Sequence, residues 1–221
     1  KIYTVKVNGM KSVRRYLHGW KRRKESIGVY SMKEMLDAEI LIDSPVIAAI
    51  KDEQGLAECL KTECQVIFIL FGNVCNIGEI VKRIKDSGKI AIVHMDLITG
   101  LSSKEISVDF IKKATQADGI ISTKPMMVKR AKELGLLTIQ RFFIIDSIAL
   151  ENSKRQIEVY HPDCVEIMPG IMPKILKDIR NFVSVPVIAG GLLTDKKDVM
   201  GALSAGADAI SATNRTLWKM Q

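Results

Sequence analysis

From Ser44 to Met220 the chain switches eight times between a short apolar run and a longer segment whose apolar residues fall three and four apart. The runs are SPVIAAI (44–50), VIFILFG (66–72), KIAIVHMDL (89–97), GIIST (119–123), LLTIQRFFI (136–144), CVEIMPG (164–170), VPVIAGG (185–191) and DAISATN (208–214). Near-continuous apolar runs of this length read as strands of a parallel sheet buried on both faces. The segments between them read as amphipathic helices. They include NIGEIVKRIKDSG, SSKEISVDFIKKATQ and DSIALENSKRQIEVY, and RTLWKM closes the series as a short helix. Start signals fit: Ser103 or its neighbour, Asp146, and Thr194 or Asp195 are expected caps, and Pro125 suits a first helical turn. Eight strand–helix units in about 180 residues predict a compact (β/α)8 TIM-type barrel. An open doubly wound sheet would not require eight units. No Gly-x-Gly-x-x-Gly follows the first run, which counts against a dinucleotide-binding version.

Charge divides the chain unevenly. Nine of the 33 Lys and Arg, but only one of the 25 Asp and Glu, lie in residues 1–31, so the remainder holds 24 of each. The expected organisation is a basic N-terminal extension over residues 1–35 and a single barrel domain over 36–221. The extension contains KSVRRYLHGWKRRK, in which basic residues interleave with Tyr16, His18 and Trp20. That composition suits phosphate contact with base stacking. It equally suits a disordered tail, or extra sequence ahead of a natural start at Met32 or Met35. No apolar run nears the roughly 20 residues that span a bilayer, and no secretion signal is evident, so a cytoplasmic protein without a membrane partner is expected. Four cysteines without a Cys-x-x-Cys pair and three scattered histidines predict neither a metal site nor a disulfide framework.

The seventh run ends on two glycines. A tight turn needs only their tolerance of positive φ, whereas a phosphate cradle uses the missing Cβ atoms to let backbone N–H groups approach an anion. In a barrel of this type ligands bind at the C-terminal strand ends, and the loops after strands seven and eight commonly hold phosphate. Gly190, Gly191, Ala212, Thr213 and Asn214 fall there, which favours the cradle. His94, Asp96, Lys124, Gln140, Arg141 and Glu166 form a candidate polar ring at the other strand ends. His94 and Asp96, two apart, are expected on one face, and the adjacent Gln140 and Arg141 on opposite faces. Glu166 interrupts an apolar run and needs a partner, which Lys124 or Arg141 could supply. The ring reads either as a grip for ligand hydroxyls or as a structural ion pair closing the barrel. No catalytic residue is assigned. Asp96, His94 and Glu166 are chemically able to act as bases, but no nucleophile elbow, metal-ligand triad or Walker loop accompanies them. A phosphate cradle with two acids suits an isomerase or aldolase acting on a small phosphorylated polyol or sugar, and suits a ligand sensor as well.

VHMDLITGL, GIISTK, IQRFFIID, VEIMPGIMP, VPVIAGG and ATNRTLWK, in this order and spacing, resemble the glycerol-3-phosphate-responsive antiterminators, the glycerol uptake operon antiterminator regulators of bacteria. The resemblance covers roughly residues 44–220. It implies a TIM-type barrel without an enzymatic role and without a cofactor. The resemblance further implies glycerol 3-phosphate as effector and, as partner, the leader mRNA of glycerol-utilisation genes, whose premature termination would be prevented. Ligand could be coupled to RNA by ordering of strand-end loops or of a homo-oligomer. The family's fourth-strand motif reads GIISTR. Lys124 stands in place of that arginine here, keeping the charge but not the planar fork. Clusters of basic residues on predicted helices (Lys82, Arg83, Lys85; Lys129, Arg130, Lys132; Lys174, Lys177, Arg180) are expected to be solvated helix faces rather than an RNA-binding surface.

Overall fold

A computed structural model describes residues 44–220. The basic extension, and the first residues assigned to the barrel domain, lie outside the described residues. Eight parallel strands close into a barrel in chain order: β1 (Val46–Ile50), β2 (Val66–Ile69), β3 (Ile90–His94), β4 (Gly119–Ser122), β5 (Leu137–Phe143), β6 (Cys164–Met168), β7 (Val187–Gly190) and β8 (Ala209–Ala212). β8 returns to pair with β1, Val46 opposite Ile210. Among the described residues seven helices pack outside: α1 (Glu53–Cys59), α2 (Ile77–Asp86), α3 (Ile106–Ala114), α4 (Pro125–Glu133), α5 (Ser147–Tyr160), α6 (Pro173–Phe182) and α7 (Lys196–Ser204). This is the compact (β/α)8 architecture expected from the eight-fold alternation.

Period-two alternation sorts each strand into two cores. Ile47, Phe68, Ile92, Ile121, Ile139 and Ile188 fill the barrel interior, while Ala48, Ile67, Val93, Ile120, Val165 and Ile210 face the helices. Burying each large aliphatic side chain is worth roughly 1.5–3 kcal/mol. Local chemistry sets the helix starts. Asp52, Asp146 and Asp195 accept from the backbone N–H of Gly55, Ala149 and Asp198, and Pro125 and Pro173 occupy first turns.

Three expectations are corrected. β3 stops at His94, and Met95–Leu97 form a single 3-10 turn because Asp96 swings across to the end of β4. α3 begins only at Ile106 and has no side-chain cap; Ser103 instead accepts a hydrogen bond from Lys124 Nζ at 2.6 Å. RTLWKM yields one 3-10 turn, Leu217–Lys219, anchored by the buried Trp218, whose Nε1 donates to the Ala212 carbonyl at 2.7 Å.

The end of the barrel opposite the strand C-termini is fastened by a repeated device. Asp118, Asp163 and Asp208, 45 residues apart, each precede an even-numbered strand. Their carboxylates accept the backbone N–H of Ala91, Thr138 and Val187 on the preceding odd-numbered strand. Each also takes a cation from the helix layer: Lys85, Lys132 and Arg180, at 2.7, 3.5 and 2.9 Å.

Candidate functional site

At the other end the strands deliver polar groups into the mouth. Arg141 and Glu166 sit opposite each other on β5 and β6 and share the inward face, as do Gly190 and Ser211 on β7 and β8. Glu166 is fully buried. Arg141 Nε donates to its Oε2 and Ser211 Oγ to its Oε1. A buried carboxylate is tolerable only when paired and hydrogen-bonded in this way. Gly190 creates the room: a Cβ built there would stand 2.6 Å from Glu166 Oε1 and 2.7 Å from Ser211 Oγ. Arg141 has spent only Nε. Its two Nη nitrogens have no partner among the described residues and are not sealed from solvent.

On the β3–β4 side, Asp96 is the hub. Its oxygens accept from Ser122 Oγ, from Thr123 N at 2.7 Å and from Thr123 Oγ1, and Lys124 Nζ lies 3.3 Å away. Burial works to raise the Asp96 carboxyl, but the Thr123 N–H, His94 and the two hydroxyls outweigh it and hold it below the usual carboxylate range. His94 is 2% exposed, its Nδ1 3.9 Å from Asp96 Oδ2 and without a hydrogen-bond partner. Burial first, and the nearby Arg141 charge second, push the imidazole down to about 4, so it is neutral at pH 7.

The β7 and β8 loops complete the mouth. Gly191 (φ +74°) and Leu192 (φ +60°) both take the left-handed conformation, costly for leucine, and Leu192 projects into solvent. Among the described residues, the backbone N–H groups of Gly191, Leu192, Thr213 and Asn214 have no acceptor. Unpaired N–H groups gathered from adjacent loops suit an anion. Asn214 ties the loops together, its Nδ2 donating to Thr194 O at 2.9 Å and its Oδ1 accepting from Thr216 N.

The structure brings most of the expected residues to this mouth, with differences. Gln140 turns outward, donating through Nε2 to Gln156 on α5 at 2.7 Å, so it belongs to the helix layer and not to the polar ring. Its neighbour Arg141 faces inward, as alternation requires. Ala212 is buried and its carbonyl is taken by Trp218; the Asn214 side chain is committed to Thr194, which leaves its N–H for a ligand. Lys124 partners Asp96 and Ser103 rather than Glu166. Thr123 is a polar group the sequence reading passed over, because its role depends on the unforeseen swing of Asp96; Ser211 lies in the eighth run beside the expected anion site, and its bond to Glu166 is what the structure adds. Among the described residues no group of three His, Cys, Asp or Glu is placed to hold a metal, and no helix is long and apolar enough to cross a membrane. The basic helix faces are largely neutralised: Lys82 pairs with Asp86, Arg83 with Glu53, and Arg130 with Asp109 and Glu133.

The chain is a closed (β/α)8 barrel of the TIM type, whose mouth combines a buried Arg–Glu–Ser network with free N–H groups on the β7 and β8 loops, where barrels of this type commonly hold phosphate. The family model for the glycerol-3-phosphate responsive antiterminators matches residues 46–218, and the chain belongs to that family. The chain is 46% identical over 181 residues to the Escherichia coli (strain K12) protein YgcP, covering 82% of this chain and 95% of that protein. Its fold matches the crystal structure of the glycerol uptake operon antiterminator regulatory protein of Listeria monocytogenes with a TM-score of 0.78 and 31% identity, over 81% of this chain and 97% of that one. It also matches a glycerol uptake operon antiterminator-related protein of Thermotoga maritima with a TM-score of 0.72 and 37% identity, over 80% and 99%.

Proposed function

We propose that the chain is a cytoplasmic regulator that binds glycerol 3-phosphate in the barrel mouth and, in response, binds the leader mRNA of glycerol-utilisation genes and prevents premature termination. The observation that carries the ligand reading is the set of free N–H groups at Gly191, Leu192, Thr213 and Asn214 beside the Arg141 guanidinium, in a family described as glycerol-3-phosphate responsive. The phosphate takes the β7–β8 cradle and the hydroxyls face Arg141 and His94. Binding rather than turnover is supported by the carboxylates: Asp96 and Glu166, the bases a catalytic reading needs, have their oxygens committed to neighbouring donors.

Calorimetric titration with glycerol 3-phosphate, inorganic phosphate and glycerol tests the ligand. Binding of the whole ester, abolished in a folded Gly191→Asp variant, whose side chain at φ +74° would press on Met168 and distort the turn that presents the N–H groups, is the expected result. Ester-dependent retention of a leader transcript tests the regulator. Turnover of a triose-phosphate panel without RNA binding would instead favour an isomerase or aldolase. Deleting residues 1–31 without loss of RNA affinity at low salt would assign RNA contact to the barrel rather than to the basic extension.

A further inference from the structure

Two polar groups in the mouth retain unused capacity on the inward face. One is the outer edge of Arg141, whose Nη nitrogens are free donors while Glu166 holds Nε. The other is His94, inward on β3 by its two-residue offset from the interior Ile92. The two carboxylates are spent on neighbours: Asp96 on Ser122, Thr123 and Lys124, and Glu166 on Arg141 and Ser211. Nδ1 of His94 is buried without a hydrogen-bond partner, whereas Nε2 is not sealed and can take one from a ligand.

The tautomer follows from the neighbours. Nδ1 is sealed, and its nearest charged group is Asp96 Oδ2 at 3.9 Å, too far for a hydrogen bond but close enough to repel a lone pair. The proton therefore sits on Nδ1. Nε2, also without a partner among the described residues but not sealed, offers its lone pair to the mouth. The neutral imidazole is an acceptor beside a donor, the Arg141 edge.

A hydroxyl satisfies both groups, because it accepts from Arg141 and donates to Nε2. A carbonyl oxygen satisfies only Arg141 and sets its lone pairs against that of Nε2. Moving the imidazole proton to Nε2 does not rescue the ketone, since it turns the Nδ1 lone pair toward the Asp96 carboxylate. We propose that His94 is the specificity residue of the mouth, reading the oxygen next to the phosphoester carbon as an alcohol, so that phosphorylated polyols bind and the matching ketones are disfavoured. This rests on the ester-binding reading above and adds to it a discrimination that reading does not contain.

The test is calorimetric titration of the full chain with glycerol 3-phosphate and with dihydroxyacetone phosphate at neutral pH, for the unsubstituted protein and for His94→Gln. The unsubstituted protein should prefer the alcohol by roughly 10- to 100-fold, the effect of one unpaired polar group. The glutamine amide can donate as well as accept, so the variant should bring the two esters within about threefold of each other. His94→Asn serves the same comparison if the glutamine variant does not fold. An equal preference in protein and variant, or no preference in the unsubstituted protein, overturns the assignment of His94 while leaving ester binding intact. Binding of neither ester overturns the ester reading and this inference together.

Discussion

Gly190 leaves open the space that the Glu166 carboxylate fills, with Oε1 only 2.6 Å from where a Cβ would stand. The first glycine of the pair thus serves the ion pair, while the second, at φ +74°, makes the turn that frees the N–H groups. Gly191 thus meets the turn reading of the doubled glycine, whereas Gly190 serves a side-chain network that neither reading foresaw. Gly190→Ala should displace Glu166 or Ser211 and destabilise the fold by about 1–3 kcal/mol, the usual cost of overpacking. Urea unfolding measures this, and ester affinity should fall with it.

Glu166 and Arg141 decide between a structural pair and a ligand grip. Glu166→Ala leaves the Arg141 charge buried and unpaired, which should cost about 3–5 kcal/mol. Replacing both, as Arg141→Met with Glu166→Leu, should recover most of that loss, because apolar pairs of similar volume often match buried ion pairs. If the guanidinium edge holds ligand, the double variant regains stability but not ester binding. Recovery of both in denaturation and calorimetry would reduce the pair to a barrel closure.

Much of this architecture was legible in the sequence, because parallel strands buried on both faces leave near-continuous apolar runs and eight of them admit few closures. Side-chain direction was legible wherever strand alternation held, to the extent that Gln140 and Arg141 had to fall on opposite faces; which of them is inward, and whether Lys124 or Arg141 partners Glu166, stayed open. It failed where the strand ended early. Asp96 was read as a strand residue, but three donors at the end of β4 pull it sideways into a 3-10 turn. Gln140 has no such excuse: alternation put it opposite to Arg141, and only its chemistry had kept it among the ring residues. The basic helix clusters were read as charge on a solvated face, and no single-sequence pattern announces that Lys85, Lys132 and Arg180 reach aspartates before the next even-numbered strand.

Those aspartates give a prediction that should spare the mouth. Asp163→Ala removes the acceptor of Thr138 N and Oγ1 and a partner of Lys132 at the opposite end of the barrel. Orphaning a buried backbone N–H should cost about 1–3 kcal/mol. Ester affinity measured well below the melting range should stay within about twofold, since none of these groups faces the ligand end.

The last prediction concerns acid. His94 titrates near 4 in the folded protein, below its ordinary value of 6.5, because burial and Arg141 oppose its charge. Between those values the unfolded chain takes up a proton that the folded chain refuses, so stability falls as pH drops from about 6.5 toward 4. The loss approaches about 3 kcal/mol at the acid end of the window, from one side chain. Asp96, held below the usual carboxylate range, adds to the loss at still lower pH, whereas Asp208, raised by burial, works in the opposite sense. The difference between the protein and His94→Gln removes most of those other contributions. Urea unfolding of both across pH 7 to 4.5 should show the unsubstituted protein losing stability faster, with the gap opening below pH 6.5. Parallel pH profiles would mean that His94 accepts its proton in the fold as readily as in the unfolded chain.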